Sequence, residues 1–395
     1  MAKRLIQINV TAQGGSTAAI AGHLSQAAHR QGWETWTFFG RGAIASDIPC
    51  VRIGNRLDQM IHSACARLMD HHGEFSRLAT RAAIRKMKEI APSLVHLHIL
   101  HGYYLNYPML FQYLSEAGIP VVWTLHDCWP FTGRCAHFET QQCSRWKTGC
   151  GHCPSKGTYP MSVFDGTHCS WLSKKKAFGN MPHMTLVPVS HWMEKVVKES
   201  FLKDNPIRTI PNGVDTSLFH PVENAKASLG IQGKLLLGVS MFWYRQKGLQ
   251  DFIELDARLP EDCHIALIGL DKPIPGTCII PVPRITDHGK LAAWYSAADI
   301  TLNLSYAESF GMTTIESLAC GTQVITYNCT ASPELMTDTV GAIVPAGDIA
   351  SLADAVSRLL KEPCPAEVCR QHVLKHFSLE QQMDAYLRLY EELTQ

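Results

Sequence analysis

The sequence predicts an α/β protein built from two doubly wound units, each with a parallel sheet covered by helices on both faces. Its 395 residues are too many for one ordinary core. Short apolar segments rich in Val, Ile and Leu alternate with segments of helical periodicity, which is typical of parallel strands buried on both sides. The alternation runs through residues 4–189 and starts again after a Pro/Asn/Gly stretch at residues 210–215.

The first unit is predicted to contain five strands and two helical regions. The strands are expected at residues 4–10, 34–39, 94–100, 119–125 and 184–189, and the helical regions at 16–31 and 56–90. Each strand is a nearly continuous apolar run, whereas the helical regions repeat apolar residues every three or four positions. We therefore assign residues 1–205 to an N-terminal domain.

The second unit repeats the same alternation after the connecting stretch. Strands are expected at residues 234–241, 264–269, 299–304 and 323–327, and helices at 249–259, 291–298 and 349–361. We assign residues 206–378 to this C-terminal domain. The last segment, residues 379–395, is an amphipathic helix with Tyr386, Leu387 and Tyr390 on one side, and we expect it to pack back on the N-terminal domain.

Composition and charge exclude several classes of protein. Hydrophobic residues make up 46% and charged residues 18%, as in soluble globular proteins. A net charge of +1 gives no electrostatic case for nucleic acid. No apolar run approaches the roughly 20 residues of a membrane span, and the first residues read as a strand rather than a signal peptide. The expected location is the cytoplasm.

Two glutamates carry the strongest functional signal. Glu308 and Glu316 flank a Gly-containing loop that follows an apolar strand and leads into a helix. Backbone N–H groups at residues 311–313 would point out of the helix N-terminus, where anions bind. Carboxylates suit hydroxyl groups and N–H groups suit phosphate, so the segment predicts a site for a sugar nucleotide. The plainer alternative is a pair of solvent-facing glutamates at a helix end.

Several motifs, in chain order, resemble glycosyltransferase family 4. They are Gly14-Gly15-Ser16, His126-Asp127, residues 211–215, Lys247-Gly248 and the glutamate pair. Residues 122–129 and the cysteine segment that follows are similar to bacterial exopolysaccharide transferases of the colanic-acid type. The resemblance implies a GT-B fold, with two Rossmann-like domains facing each other across a cleft. It also implies transfer of a sugar, with retention, from a UDP-, GDP- or dTDP-sugar to a saccharide or lipid-linked saccharide.

Lys247 is the first candidate catalytic residue. A lysine there can lie against a diphosphate leaving group and offset its charge, although a solvated lysine at a helix start is the alternative. The family usually adds an arginine several residues earlier; that position is apolar here, and Arg245 is the nearest substitute. Gly15 is expected to let the donor phosphate or the acceptor approach the backbone closely, unless it only forms a tight turn.

The resemblance implies the remaining donor contacts. Glu308 would accept hydrogen bonds from hydroxyls of the donor sugar and Glu316 from the ribose. The residues between them that are assigned to the donor site are Phe310, Gly311, Met312 and Thr313.

His126 follows an apolar strand, at the edge where doubly wound sheets bind ligands. The resemblance implies contact with the donor sugar or its phosphate, while a structural histidine is the alternative. Asp127 is expected to bind the acceptor or to support its loop. The chain has no Asp-x-Asp triplet, so we expect catalysis without a metal cofactor.

Four cysteines end in a C-x2-C spacing that can bind zinc. Cys135, Cys143, Cys150 and Cys153 lie in a loop rich in Gly, Trp and Lys, and a structural zinc ion is the favoured interpretation for a cytosolic chain. Free thiols and disulfides are the alternatives, because the C-x7-C gap is unusual for zinc ribbons.

Residues 77–88 form a basic, partly amphipathic helix pattern. Contact with anionic lipid at the inner face of the membrane is one interpretation, and a solvated surface helix is the other. At the level of function, we keep two alternatives to the transferase. One is a sugar-nucleotide epimerase or glycogen-type synthase of the same fold. The other is a zinc-containing binding protein.

Overall fold

A computed structural model describes residues 2–44, 48–157 and 160–395. The chain divides into two compact units. Unit 1 comprises Met1–Ile210 and Met383–Gln395, and unit 2 comprises Pro211–Gln382. The boundaries expected from the sequence, after residues 205 and 378, lie close to these positions.

Unit 1 contains one six-stranded parallel sheet in the order β3-β2-β1-β4-β5-β6. Its strands are β1 (Arg4–Thr11), β2 (Glu34–Arg41), β3 (Cys50–Arg52), β4 (Leu94–Leu97), β5 (Val121–Leu125) and β6 (Met184–Pro188). Its helices are α1 (Ser16–Arg30), α2 (Arg56–Met69), α3 (Arg77–Ile90), α4 (Tyr107–Glu116), α5 (Thr167–Phe178) and α6 (His191–Lys198).

Unit 2 contains a second six-stranded parallel sheet, in the order β12-β11-β10-β7-β8-β9. Its strands are β7 (Lys234–Val239), β8 (Cys263–Ile268), β9 (Ile280–Val282), β10 (Ile300–Asn303), β11 (Val324–Tyr327) and β12 (Gly341–Val344). The helices are α7 (Ala225–Ser228), α8 (Leu249–Asp256), α9 (His288–Ala297), α10 (Met312–Ala319), α11 (Ile349–Lys361) and α12 (Ala366–His376).

The helical region expected at residues 56–90 is two helices rather than one. Asp70 ends α2 in the left-handed conformation, with φ 61°, and its N–H donates to the carbonyl of Ala66. Gly73 then also takes a positive φ, so the chain turns before α3 begins at Arg77. Left-handed residues of this kind commonly end helices.

Apolar strands form the centre of both units. Ile6, Val95 and Trp123 in unit 1, and Leu236 and Ile300 in unit 2, are essentially inaccessible to solvent. Burying a large apolar side chain contributes about 1.5–3 kcal/mol, so these strands hold the ends of the sheets, where the polar residues lie, in fixed positions.

The C-terminal helix α13 (Leu379–Leu393) contacts unit 1 through two buried tyrosines. The Tyr390 hydroxyl lies 2.5 Å from Nδ1 of His96, and the Tyr386 hydroxyl lies 2.7 Å from the hydroxyl of Thr124. No helix in the described part of the chain has the length and apolar character needed to cross a membrane.

Both sheets have the strand order of a doubly wound fold. In each, the chain winds outward in one direction and then returns to the centre to wind in the other. The order therefore reverses between β1 and β4 in unit 1 and between β7 and β10 in unit 2. In such sheets ligands bind outside the carboxyl ends of the strands at this switch point.

Candidate active site

Lys247 and Glu308 meet at the switch point of unit 2. Lys247 follows β7 and Glu308 follows β10, and the Lys247 ammonium lies 2.5 Å from Oε1 of Glu308. The two loops are also joined through the backbone, because the N–H of Tyr306 donates to the carbonyl of Gln246 at 2.9 Å. The structure thus brings together two residues that are far apart in the sequence.

The ion pair is partly shielded from solvent. The side chains of Lys247 and Glu308 are 25% and 18% exposed. Burial lowers the pKa of Lys247, but the charge of Glu308 and its hydrogen bond outweigh this effect and raise the pKa above the usual value. Lys247 is therefore a cation at neutral pH, available to an anionic ligand.

Gly248 explains how the lysine loop reaches Glu308. It has φ 72°, and a Cβ atom at this position would lie 2.4 Å from the carbonyl oxygen of Leu304. A residue without a side chain is needed both for the backbone conformation and for the close approach of the two loops.

Helix α10 starts directly after the Glu308 loop. Gly311 precedes its first residue with φ 109°, and the N–H of Thr314 donates to the Gly311 carbonyl. The N–H groups at the start of an α-helix lack intrahelical partners and carry partial positive charge. Met312 and Thr313 are half-buried at this end, so N–H groups of the helix start lie four residues after Glu308 in the chain.

Glu316 lies one turn into α10 and accepts a hydrogen bond from Tyr295. The Tyr295 hydroxyl is 2.9 Å from Oε2 of Glu316. Burial raises the pKa of this glutamate to about 7, and the bond from Tyr295 opposes that change. Tyr295 was not among the residues predicted from the sequence, because its contact with Glu316 depends on the packing of α9 beside α10.

Nucleotide affinity is expected to fall as the pH drops through about 7. Only the ionised Glu316 offers all its oxygen lone pairs to ribose hydroxyls, so affinity is full above its pKa and declines below it by up to about tenfold per pH unit. Calorimetric titration of UDP and GDP across this range tests the expectation. Tyr295→Phe should move the midpoint upward, because it removes a bond that stabilises the carboxylate.

Arg245 and Phe310, also predicted for the donor site, differ in their exposure to solvent. Arg245 is exposed, two residues before Lys247, and is free of the close packing that holds the lysine. Phe310 is only 4% exposed, and its ring packs against Phe377. Any donor contact from Phe310 would therefore involve its backbone rather than its ring.

His126 follows β5 in unit 1, and its neighbours define its protonation. The Gln7 amide nitrogen donates to the Ala21 carbonyl and the Ser25 hydroxyl, so its oxygen accepts from Nε2–H of His98 at 2.8 Å. Burial keeps the pKa of His98 well below its usual value, which leaves its Nδ1 as an acceptor for His126 Nε2–H at 3.1 Å. Burial also lowers the pKa of His126 to about 4, so its Nδ1 carries a lone pair.

Asp127 supports its own loop. One carboxylate oxygen lies 2.8 Å from Nε2 of His101, and the other accepts the N–H of Trp129 at 2.9 Å. Burial raises the pKa of Asp127, but His101 and these hydrogen bonds have a larger opposite effect, so its pKa lies below the usual value. Of the two roles expected for Asp127, the contacts describe loop support; acceptor binding remains a prediction.

Gly15 lies in unit 1, after β1, at the N-terminus of α1. It has φ 85°, is exposed, and has no atom within 4 Å of a built Cβ. A ligand can therefore approach the Gly15 backbone without a steric clash.

The four loop cysteines, also in unit 1, all line one small cavity in the segment between β5 and α5.

Two doubly wound units, one with a lysine, two glutamates and a helix N-terminus at its switch point, define an α/β protein with a candidate anion-binding site. Comparisons with known proteins specify the class. Residues 19–218 match the family described as Glycosyltransferase Family 4, and residues 233–362 match Glycosyl transferases group 1. The chain belongs to the glycosyltransferases that these two families describe.

Three similar proteins cover nearly the whole chain. The putative colanic acid biosynthesis glycosyl transferase WcaC of Escherichia coli K12 is 25% identical over 98% of this chain and all of its own length. Among solved structures, sucrose-phosphate synthase from Thermosynechococcus elongatus superposes with a TM-score of 0.76 at 20% identity, covering 99% of both chains. Anabaena HepE in complex with UDP-glucose gives 0.68 at 12% identity, covering 98% of this chain and 99% of its own. The fold is GT-B, as the sequence predicted.

Proposed function

We propose that this chain is a retaining glycosyltransferase. It moves a hexosyl group from a nucleotide-sugar donor to a saccharide or lipid-linked saccharide during assembly of a cell-surface polysaccharide. The observation that carries the proposal is the Lys247–Glu308 ion pair at the switch point of unit 2, beside the N-terminus of α10. A cation and free helix N–H groups suit a diphosphate, and adjacent carboxylates suit sugar hydroxyls.

In this proposal, each part of the donor binds a different group of the site. Lys247 and the N–H groups of Met312 and Thr313 bind the diphosphate, and Glu316 accepts from the ribose hydroxyls. Glu308 lies next to Lys247 and accepts from hydroxyls of the transferred sugar. Arg245, exposed beside Lys247, provides a second cation for the diphosphate.

The reaction then needs charge stabilisation more than a protein base. The bond between the anomeric carbon and the diphosphate oxygen breaks, and negative charge grows on the leaving phosphate, where Lys247 and the α10 dipole stabilise it. The acceptor oxygen bonds to the anomeric carbon on the same face, and its proton passes to the departing phosphate oxygen. The configuration at the anomeric carbon is therefore retained.

His126 contributes as a hydrogen-bond acceptor in this proposal. Its Nε2–H is directed at His98, and its Nδ1 lone pair remains for a sugar hydroxyl. A neutral imidazole of this kind cannot neutralise phosphate charge, so the role proposed for His126 is to accept a hydrogen bond from a hydroxyl group.

The relatives support the substrate class and the pathway. WcaC is named for colanic acid biosynthesis, and HepE was crystallised with UDP-glucose. We infer a UDP-, GDP- or dTDP-sugar donor, an acceptor of the polysaccharide pathway, and action in the cytoplasm, where sugar nucleotides are used. An epimerase would return a changed sugar nucleotide instead of a glycoside.

Membrane contact through α3 is a secondary part of the proposal. Arg81, Arg85 and Lys88 line one open groove, and Leu78 beside them is highly exposed. Elsewhere on the helix, Lys86 pairs with Glu89, 2.8 Å away. Charge reversal at Arg81 and Arg85 is expected to weaken binding to anionic vesicles, measured by co-sedimentation. Unchanged binding would show that α3 is a solvated surface helix without a role at the membrane.

Turnover is expected to survive removal of divalent cations, because Lys247 and the α10 N-terminus supply the positive charge. The measurement is the transfer rate after brief EDTA treatment, with and without added Mg²⁺. A rate that falls in EDTA and is restored by Mg²⁺ alone would show that a metal ion assists the leaving group, contrary to the proposal.

The reaction class is tested by a donor screen with product analysis. Purified protein is incubated with UDP-, GDP- and dTDP-sugars, and release of nucleoside diphosphate is measured with and without oligosaccharide acceptors. We expect nucleoside diphosphate to be released from donors of one nucleotide class. The glycoside product is expected to keep the anomeric configuration of that donor. Formation of an epimerised sugar nucleotide without release would identify the alternative reaction.

A further inference from the structure

The loop between β5 and α5 brings four cysteine side chains to one place. Cys135, Cys143, Cys150 and Cys153 all line a cavity of about 20 Å³. That volume is close to the space of a single water molecule, so it would accommodate one ion. All four cysteines are free thiols in the structure.

Hydrogen bonds already link the sulfur atoms to one another and to the backbone. The thiols of Cys135 and Cys153 are hydrogen-bonded to each other. The N–H of Gly133 donates to Sγ of Cys150 at 3.2 Å, and the N–H of Ser155 donates to Cys153. Backbone donors directed at sulfur orient the ligands of thiolate-bound metals.

Two buried cations lie beside the same thiols. Arg134 is 1% exposed and Lys174 is 0% exposed. Arg134 lies within electrostatic range of Cys135 and Cys153, and Lys174 within range of Cys150. The Lys174 ammonium donates to two backbone carbonyls and also lies within electrostatic range of Asp127 and Glu74.

A charged group of opposite sign would compensate these cations. Zinc bound by four thiolates carries a formal charge of about −2, from one divalent ion and four anionic sulfurs. Arg134 is also paired with the buried Asp70 at 3.5 Å and donates to the Ser162 hydroxyl. An anionic centre in the cavity would be attracted by these basic side chains, and the convergence of four cysteines on one cavity carries the assignment.

We propose that Cys135, Cys143, Cys150 and Cys153 bind one structural Zn²⁺. Each thiol releases one proton, and four Zn–S bonds of about 2.3 Å form in tetrahedral geometry. Four protein ligands leave no position for substrate, so the ion orders the loop that starts beside Asp127. Among the described residues, no three or more His, Cys, Asp or Glu side chains already form a metal group. Binding therefore draws the sulfurs inward and couples to loop folding.

The direct test is metal analysis of protein purified without chelators or metal-affinity resin. We expect about one zinc per chain, released by a thiol-modifying reagent and detected with a chromogenic chelator. The Cys150→Ser/Cys153→Ser double variant is expected to lose this zinc. Cys169→Ser is the matched control, because Cys169 is exposed on the adjacent helix α5, and it should retain the full zinc content.

Cobalt replacement keeps the test decisive if the double variant fails to fold. Addition of Co²⁺ to zinc-depleted, reduced wild-type protein should give the visible absorption of a tetrahedral cobalt–thiolate centre and protect the four cysteines from alkylation. Zinc-free protein without a cobalt spectrum would overturn the proposal. Peptide mapping would then identify either four alkylated thiols or disulfides. None of these readouts depends on transferase activity.

Discussion

Replacement of Lys247 by alanine is expected to reduce turnover by about 10²–10³-fold, the loss typical when one group that stabilises a developing anion is removed. The lysine ammonium lies 2.5 Å from Glu308, and the bond between the Tyr306 N–H and the Gln246 carbonyl joins the two loops that carry these residues. The measurement is kcat for transfer at saturating donor, with folding checked by circular dichroism and thermal unfolding.

Lys290→Ala is the matched control for this variant. Lys290 is an exposed lysine on α9 of the same unit, and its loss should leave turnover near the wild-type rate. Lys247→Arg should recover part of the activity, since it keeps the charge. If Lys247→Ala turned over at a near-normal rate, Lys247 would have to be removed from the leaving-group site.

Replacement of Glu316 by glutamine is expected to weaken the donor complex by about 10–100-fold at pH 8, as for the loss of hydrogen bonds to a charged group. The substitution keeps the shape of the side chain but removes the charge that makes it a strong acceptor. Because the pKa of Glu316 is about 7, the difference between wild type and variant should shrink at pH 6, where most of the wild-type carboxyl is protonated.

The same substitution at Glu254, an exposed residue of α8, provides the control and should leave the donor affinity unchanged. Kd values for UDP and GDP are measured for wild type and variant at both pH values. Protonation of the nucleotide affects both proteins equally, so the difference between them reports the charge of Glu316. An equal affinity of wild type and Glu316→Gln at pH 8 would exclude the ribose contact.

Much of the fold could be predicted because the information is local. The apolar runs that became β1, β5 and β7 are continuous in sequence, and their alternation with helical periodicity is sufficient to indicate parallel sheets. The strands that the sequence analysis did not identify, β3, β9 and β12, have three or four residues each. Three residues are too few to show a period, and β12 begins with a glycine and exposes Ile343, so it does not show a buried apolar run.

The site was predictable only in part for a related reason. Lys247 and Glu308 were recognised separately from their motifs, but their ion pair joins residues 61 positions apart. Tyr295 was missed because its role depends on α9 packing beside α10, which no spacing in the sequence reveals. The contacts of His126 similarly require β4 and β5 to be neighbours, so that His98 lies next to it.

In the proposed reaction, a lysine and the amide groups of a helix in unit 2 stabilise the departing diphosphate. A crystal structure of the protein with bound UDP or GDP, whichever the donor screen selects, tests it most directly. We expect phosphate oxygens within hydrogen-bond distance of Lys247 Nζ and of the N–H groups of Met312 or Thr313, with the ribose on Glu316. A nucleotide bound with its phosphates away from these groups would contradict the account.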